Sequence, residues 1–553
     1  MNPSPPAFSA ETLIALLFER ASEKGDQPAL GVKRAGQYVW LTWNEILADV
    51  RQMAARLRAA GLASGDRLLL VSENRYEWVV CDLAVHLARG IHVAVHNTLA
   101  GPQIAEQLRD SGARLVVIAG TEQAQKLAAA ASLLPGGLQF LSFDPVSESI
   151  AGQPVRHFAA IDAELSSTLG PLLPAPEDLA TILYTSGTTG EPQGVMLTHR
   201  NLTFNAAASL AAFEPLPNEL RLSWLPLSHI YARTADLYTW LTDGSQLALA
   251  ESRETLLADC AAVRPTFLNG VPYFYEKVAR HLTETGRAAE PGALAALLGG
   301  RIHICCSGGA ALPDHVAEFF ARSGVPLVQG YGLTETSPVI TTCSLRQQRM
   351  GTVGPPIPGV EVAIAPDGEI LTRGPHVMQG YWHRPEATAA ALRDGWFHTG
   401  DLGSLEEGYL RITGRKKELI VTAGGKNIAP AHLEALLVAD PLVAQAMVIG
   451  EGKKYLAALI VPDRDRLRAE IIAAQIPVTS AAEAIVHPRV RAIYEAVIVR
   501  CLAGVSHDEQ VREFVLLDRG FTIETGELTP TLKLRRAVVL QQFAAQIAQL
   551  YAR

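Results

Sequence analysis

Thr185, Ser186, Gly187, Thr188, Thr189 and Gly190 follow Ile182-Leu183-Tyr184, an apolar run that reads as the end of a buried strand. Glycines let backbone N–H groups approach an anion closely, and hydroxyls add donors or a metal ligand, so the loop has the character of a phosphate cradle. It is not a Walker A loop, because neither Gly190 nor Gly194 is followed by Lys and then Ser or Thr. Taken alone, the same loop also reads as a surface turn.

Other residues carry groups that carboxylate and phosphate chemistry uses. Glu335, in Gly330-Tyr331-Gly332-Leu333-Thr334-Glu335-Thr336, offers the oxygen ligand that hard cations prefer, and reads equally as a solvated carboxylate at a helix start. Asp401 beside Gly400 can accept from two hydroxyls or close a turn, and Arg415 can donate to the same partner. Lys533 is a compact ammonium, or a solvated lysine before Arg535-Arg536. His229 after Leu225-Pro226-Leu227-Ser228, and Tyr331, both have plain readings as core residues.

The full string from Tyr184 to His199 resembles the signature of the adenylate-forming (AMP-binding) superfamily of acyl-CoA synthetases, luciferases and peptide-synthetase adenylation domains. The resemblance continues in order through Leu225–His229, Ser307-Gly308-Gly309-Ala310, Gly330–Thr336, Gly351–Gly354, Trp396–Asp401, Gly414–Glu418 and Gly526–Lys533. It covers roughly residues 10–550.

That resemblance implies that ATP converts a carboxylic acid into an acyl adenylate. A carboxylate must then attack the α-phosphorus of a polyanion, so the barrier is largely charge repulsion and positioning. The family pattern assigns Thr185 and Glu335 to the neighbourhood of Mg²⁺, and the loop through Gly190 to the phosphates. It assigns Tyr331, with Gly330 and Gly332, to the adenine face, Thr334 to the α-phosphate, and Asp401 and Arg415 to the ribose. By the same resemblance Lys533 reaches from the C-terminal domain to the substrate carboxylate and the α-phosphate. His229 and Gly308, Gly309 and Ala310 flank the acyl group, with His229 positioning it rather than acting as a general base.

Three stretches, 223–234, 270–278 and 521–536, resemble long-chain fatty acyl-CoA synthetases in particular. The implied reaction makes acyl-CoA, AMP and pyrophosphate from a long- or medium-chain fatty acid, with CoA entering past Gly424-Gly425. Transfer to a carrier protein, and a catalytically weak nucleotide- or acyl-binding homologue, stay open as alternatives. Departures from the family pattern are Gln193 in place of the usual loop lysine, Arg233 where some members carry a gating tryptophan, and Phe274 where close relatives often show arginine.

The elements that must position these residues follow from the hydrophobic pattern. Short Val/Leu/Ile runs such as Arg67–Val71, Arg114–Ile118 and Pro326–Val328 alternate with helical stretches such as Trp43–Ala60 and Pro102–Ser111. The pattern predicts an α/β fold: a large N-terminal domain of parallel sheets flanked by helices, over residues 1–413, with a small β-barrel-like element of Gly/Pro turns and short strands between Gly351 and Gly374. A hinge over 414–417, where the family pattern places Lys417, leads to a small mobile α+β domain over 418–553.

A net charge of −8 with scattered Lys and Arg argues against a nucleic-acid partner. No basic region with an apolar stretch opens the chain, and no run reaches the ~20 apolar residues of a membrane span. The six cysteines lack a paired rhythm, so buried structural thiols in a cytoplasmic protein are expected. Arg301–Ile304 reads as a strand before Cys305-Cys306. Peripheral membrane contact and homodimer formation are both left open.

Overall fold

The computed structural model describes residues 10–162, 173–186, 192–214, 218–522, 525–528 and 534–552. The chain divides into two compact units. The first comprises Met1–Ala363, Leu371–Thr399 and Leu405–Arg411, and the second Ile364–Ile370, Gly400–Ser404 and Ile412–Arg553.

Two sheets build the first unit. One runs in the order Val339–Thr342, Leu327–Gly332, Ile304–Ser307, Phe267–Gly270, Leu220–Ser223, Gln246–Leu249, Pro28–Arg34, Gln37–Thr42. The other runs Gly380–Tyr381, Pro192–Thr198, Leu179–Ser186, Ile91–Val95, Arg67–Val71, Leu115–Ile118, Gln139–Ser142, Gln153–His157, Ser149–Ile150. Central neighbours are parallel, and antiparallel pairs close the edges.

The apolar runs are continuous because both sheet faces are covered. Leu68 and Leu70 enter one core cluster and Leu69 and Val71 another, on opposite sides of the same strand. Helix Trp43–Ala59 starts where Thr42 and Glu45 form a reciprocal capping box. Near Cys305-Cys306 the sequence expectation shifts: Arg301–His303 precede the strand, which is Ile304–Ser307 and takes in both cysteines. Five cysteines are buried, Cys501 is half-buried, and none is disulfide-bonded.

The stretch between Gly351 and Gly374 holds strands Glu361–Ile364 and Glu369–Arg373, which join Trp396–Glu406 in a five-stranded sheet. In the second unit, Leu456–Pro462 is buried along its whole length between Val443–Ile449 and Val511–Leu516. Leu456, Ala458 and Ile460 pack with Leu433, Tyr494 and Val497 from helices Pro430–Val438 and Pro488–Cys501. On the opposite face, Ala457 and Leu459 pack with Val539, Phe543 and Leu550.

Candidate active site

In the first unit, strands Leu220–Ser223, Phe267–Gly270, Ile304–Ser307 and Leu327–Gly332 are consecutive parallel neighbours, so their carboxyl ends lie together. Ligands of open α/β sheets bind in the crevice outside such ends. Those ends deliver Gly308-Gly309-Ala310, Gly330-Tyr331-Gly332 and, after Ser223, the turn carrying His229. Two of the glycines have a steric reason. A Cβ on Gly332 would lie 1.7 Å from the Pro338 carbonyl oxygen, and one on Gly308 would lie 2.8 Å from the Tyr231 ring. Tyr231 is anchored by its hydroxyl, which donates to Asn269 Oδ1 and to the Cys306 carbonyl, each at 3.2 Å. Tyr331 is half-buried, opposite Thr341, and packs against Phe204, Ile340 and Val360.

The Gly/Thr loop joins the two arms of an antiparallel hairpin, Leu179–Ser186 and Pro192–Thr198. Thr185 is paired with Gln193, Tyr184 with Gly194, and Ser186 with Pro192. Gly187, Thr188, Thr189 and Gly190 lie outside the described residues, as does Lys533. Gly194 is hemmed in, since a Cβ there would meet Ile182 Cγ2 at 2.8 Å and Trp382 Cβ at 3.2 Å. The Tyr184 hydroxyl donates to Asp110 Oδ2 at 2.7 Å.

Thr334 and Glu335 form a single 3-10 turn, Thr334–Thr336, directly after the strand ending at Gly332. Glu335 is half-buried. Its Oε1 accepts from the Tyr381 hydroxyl at 2.9 Å, and its carbonyl accepts from the Met378 N–H at 2.8 Å.

His229 caps the short helix Ile230–Ala232, its Nδ1 accepting from the Tyr231 N–H at 3.2 Å. That bond leaves the proton of the neutral ring on Nε2. Its ring stacks on His96 with centroids 6.2 Å apart, and His96 Nδ1 is 2.8 Å from Ser228 Oγ. Burial, aided by the Arg253 charge, pushes His96 down to about 4, so it is neutral near pH 7.

Arg233, four residues after His229, is fully buried. Its guanidinium pairs with Asp82, which is also fully buried, and donates to Thr181 Oγ1 at 2.9 Å. Asp82 further accepts from the Tyr238 hydroxyl at 3.0 Å and lies 2.6 Å from His92 Nδ1. Burial alone would raise the Asp82 carboxyl, but the Arg233 charge, together with His86 and His92, outweighs it and holds it well below its ordinary value. Arg233 therefore ties the turn after His229 to the strand that runs into Thr185.

In the second unit, Arg415 Nε donates to Asp401 Oδ1 at 2.9 Å, so these two residues stand together. Lys416 pairs with Asp367 at 2.5 Å and Glu369 at 3.1 Å. Gly424 and Gly425 lie in the loop of a two-stranded hairpin, Ile420–Val421 with Asn427–Ile428, and Gly425 has φ of +76°. Leu528 and Leu534 form an antiparallel bridge. At its base, Glu527 is fully buried and accepts from Arg519 at 2.6 and 2.8 Å and from the Thr525 hydroxyl at 2.7 Å.

Tyr381, His96 and Asp82 carry no local signal that spacing could reveal. Each acquires its partner through the strand order. Glu527 was within reach, since it belongs to the Gly526–Lys533 segment.

The AMP-binding enzyme family matches residues 17–382, and the AMP-binding enzyme C-terminal domain matches residues 417–553. The long-chain-fatty-acid–CoA ligase FadD15 of Mycobacterium bovis is 33% identical over 98% of this chain and 97% of its own. The fatty acyl-CoA synthetase A of Dictyostelium discoideum is 28% identical over 96% and 90%. Among solved structures, the o-succinylbenzoate CoA synthetase MenE of Bacillus subtilis, in complex with its acyl-adenylate intermediate, is 26% identical. It superposes with a TM-score of 0.73 over 94% of this chain and 97% of that one. A fatty acyl CoA synthetase of Mycobacterium tuberculosis shares the fold, with a TM-score of 0.68 at 23% identity over 97% and 99%.

Proposed function

Because the chain belongs to the AMP-binding enzyme family, as an AMP-forming acyl-CoA synthetase, we propose that it activates long- or medium-chain fatty acids through an acyl adenylate and transfers them to CoA. The observation that carries the reading is within the first unit. The strand Gly380–Tyr381 pairs with the outgoing arm of the Gly/Thr hairpin and at the same time holds the Glu335 carboxylate. One sheet edge thus serves a phosphate-binding loop and an acidic residue suited to the same phosphates.

In this reading backbone N–H groups and hydroxyls of residues 185–190 hold the ATP phosphates. Glu335 and Thr185 are the residues that would hold Mg²⁺. Among the described residues no cluster of three or more His, Cys, Asp or Glu could hold a metal alone, and one carboxylate beside a phosphate loop suits an ion that takes most of its oxygens from phosphate and water. When bound, that ion offsets charge on the polyphosphate. Tyr331 stacks on adenine, Thr334 donates to the α-phosphate, and His229 with Gly308–Ala310 orients the acyl group.

Asp401 and Arg415 serve the ribose, the carboxylate accepting from its hydroxyls while the guanidinium fixes that carboxylate. Lys533 neutralises the attacking carboxylate and the α-phosphate in the transition state. The hinge over 414–417 reorients the second unit between half-reactions, and Gly424-Gly425 admits the thiol. No described helix is long and apolar enough to cross a membrane.

The test combines ATP and Mg²⁺ with acids from acetate to oleate and measures pyrophosphate release with CoA, with holo carrier protein, and with neither. Release that depends on a fatty acid, together with acyl-CoA formation, is expected. Product formation only with carrier protein would reassign the acceptor, and no release with any acid would remove the proposal.

A further inference from the structure

Segment 378–382 touches two parts of the proposed ATP site at once. Gln379 N–H donates to the Met196 carbonyl at 3.0 Å and Trp382 N–H to the Gly194 carbonyl at 2.7 Å, while Tyr381 is in register with Val195. This backbone is therefore an added strand on the outgoing arm of the phosphate hairpin. From the same segment, the Met378 N–H and the Tyr381 hydroxyl grip Glu335 at its carbonyl and its Oε1. Tyr381 is itself held, its N–H donating to Thr388 Oγ1 at 2.9 Å from helix Pro385–Ala391. Gly380 allows that approach, since a Cβ there would lie 2.7 Å from Thr388 Cγ2.

The geometry points to Tyr381 as a positioning residue that aims the Glu335 carboxylate at the metal–nucleotide and couples that aim to the hairpin; this rests on the proposed role of Glu335. A carboxylate on a three-bond side chain can rotate. A phenol donor that occupies one oxygen stops the rotation and directs the second oxygen to a cation. Because Tyr381 is in backbone register with Val195, two residues beyond Gln193, the phenol is anchored on the same arm that carries Gln193. The strand pairing and the phenol–carboxylate bond together give phosphate loop and acidic residue one common support.

The full-length chain with Tyr381→Phe, which keeps the ring and removes the donor, tests this. Binding of ATP is titrated by calorimetry at fixed Mg²⁺ concentrations and in EDTA, alongside Glu335→Gln and the double variant. The Mg²⁺ concentration giving half-maximal enhancement of ATP binding should rise about tenfold in Tyr381→Phe, the scale seen when a residue supporting a metal ligand is lost. Affinity in EDTA should hold, and Tyr381→Phe should add nothing in the Glu335→Gln background. Equal weakening with and without Mg²⁺ would overturn the inference by making Tyr381 a packing residue only. An effect of Glu335→Gln without one of Tyr381→Phe would overturn it and leave the Glu335 reading standing. An inert Glu335→Gln would remove that reading and this inference together.

Discussion

Gln193 stands directly opposite Thr185 across the antiparallel hairpin, both half-buried, at the point where the two arms open into the Gly/Thr loop. Directly opposed residues project to the same face of a sheet with Cβ atoms about 5 Å apart. The position at which the family usually carries a lysine therefore faces the hydroxyl proposed to serve Mg²⁺ and phosphate, and here it offers a neutral amide donor.

Replacing Gln193 with lysine should tighten ATP binding modestly, by no more than about tenfold, or leave it unchanged, because one added charge in partial contact with solvent contributes about 1 kcal/mol at most. Calorimetry with ATP at two salt concentrations reads this, with the gain shrinking at high salt. A collapse of binding would mean the hairpin does not present residue 193 to phosphate.

Lys533→Ala should abolish adenylate formation and preserve much of the thioester step from supplied acyl adenylate. Lys417→Pro should do the reverse, since fixing one backbone dihedral at the hinge blocks reorientation without touching the first half-reaction. Separate assays of pyrophosphate exchange and of acyl-CoA formation from the adenylate distinguish the two. Equal loss in both steps for either variant would remove the role assigned to it.

Arg233→Met should destabilise the first unit by roughly 3–5 kcal/mol, the scale for stranding a buried carboxylate. Adding Asp82→Asn should recover much of that loss. Thermal or urea unfolding gives the answer, and an Arg233→Met chain as stable as the parent would show that the pair does not hold this region.

Glu527 gives the second unit an acid-sensitive anchor. Burial would raise its carboxyl, but hydrogen bonds from Arg519, Thr525 and the Thr522 N–H outweigh it, so its folded pKa lies below the ordinary value. The stabilisation is then present above the unfolded value of about 4.3 and is lost as pH falls through the lower folded value. Arg519→Ala should lower stability near pH 7 by about 2 kcal/mol, with the difference narrowing below about pH 4. A gap independent of pH from 7 to 3 would show that this carboxylate is not the anchor.

Local pattern was enough for the frame. The all-apolar run Leu68–Val71 and the strand before Thr185 are legible because a strand buried on both faces has no polar positions to interrupt it. The ordered motifs likewise marked Thr185, His229, Glu335, Asp401 and Arg415, because glycine, hydroxyl and charged residues at fixed short spacings are a local property of the chain.

Which partners those residues keep was decided by tertiary structure alone. Tyr381 reaches Glu335 across 46 residues, His96 meets Ser228 across 132, and Arg233 meets Asp82 across 151. Strand order and register bring these pairs together, and neither leaves a periodicity in the sequence. From sequence, Arg233 was a missing gate and Gln193 a missing lysine. Folding buries the first as the counter-charge of Asp82 and sets the second face to face with Thr185, because a side chain's chemistry depends on what the sheets bring beside it.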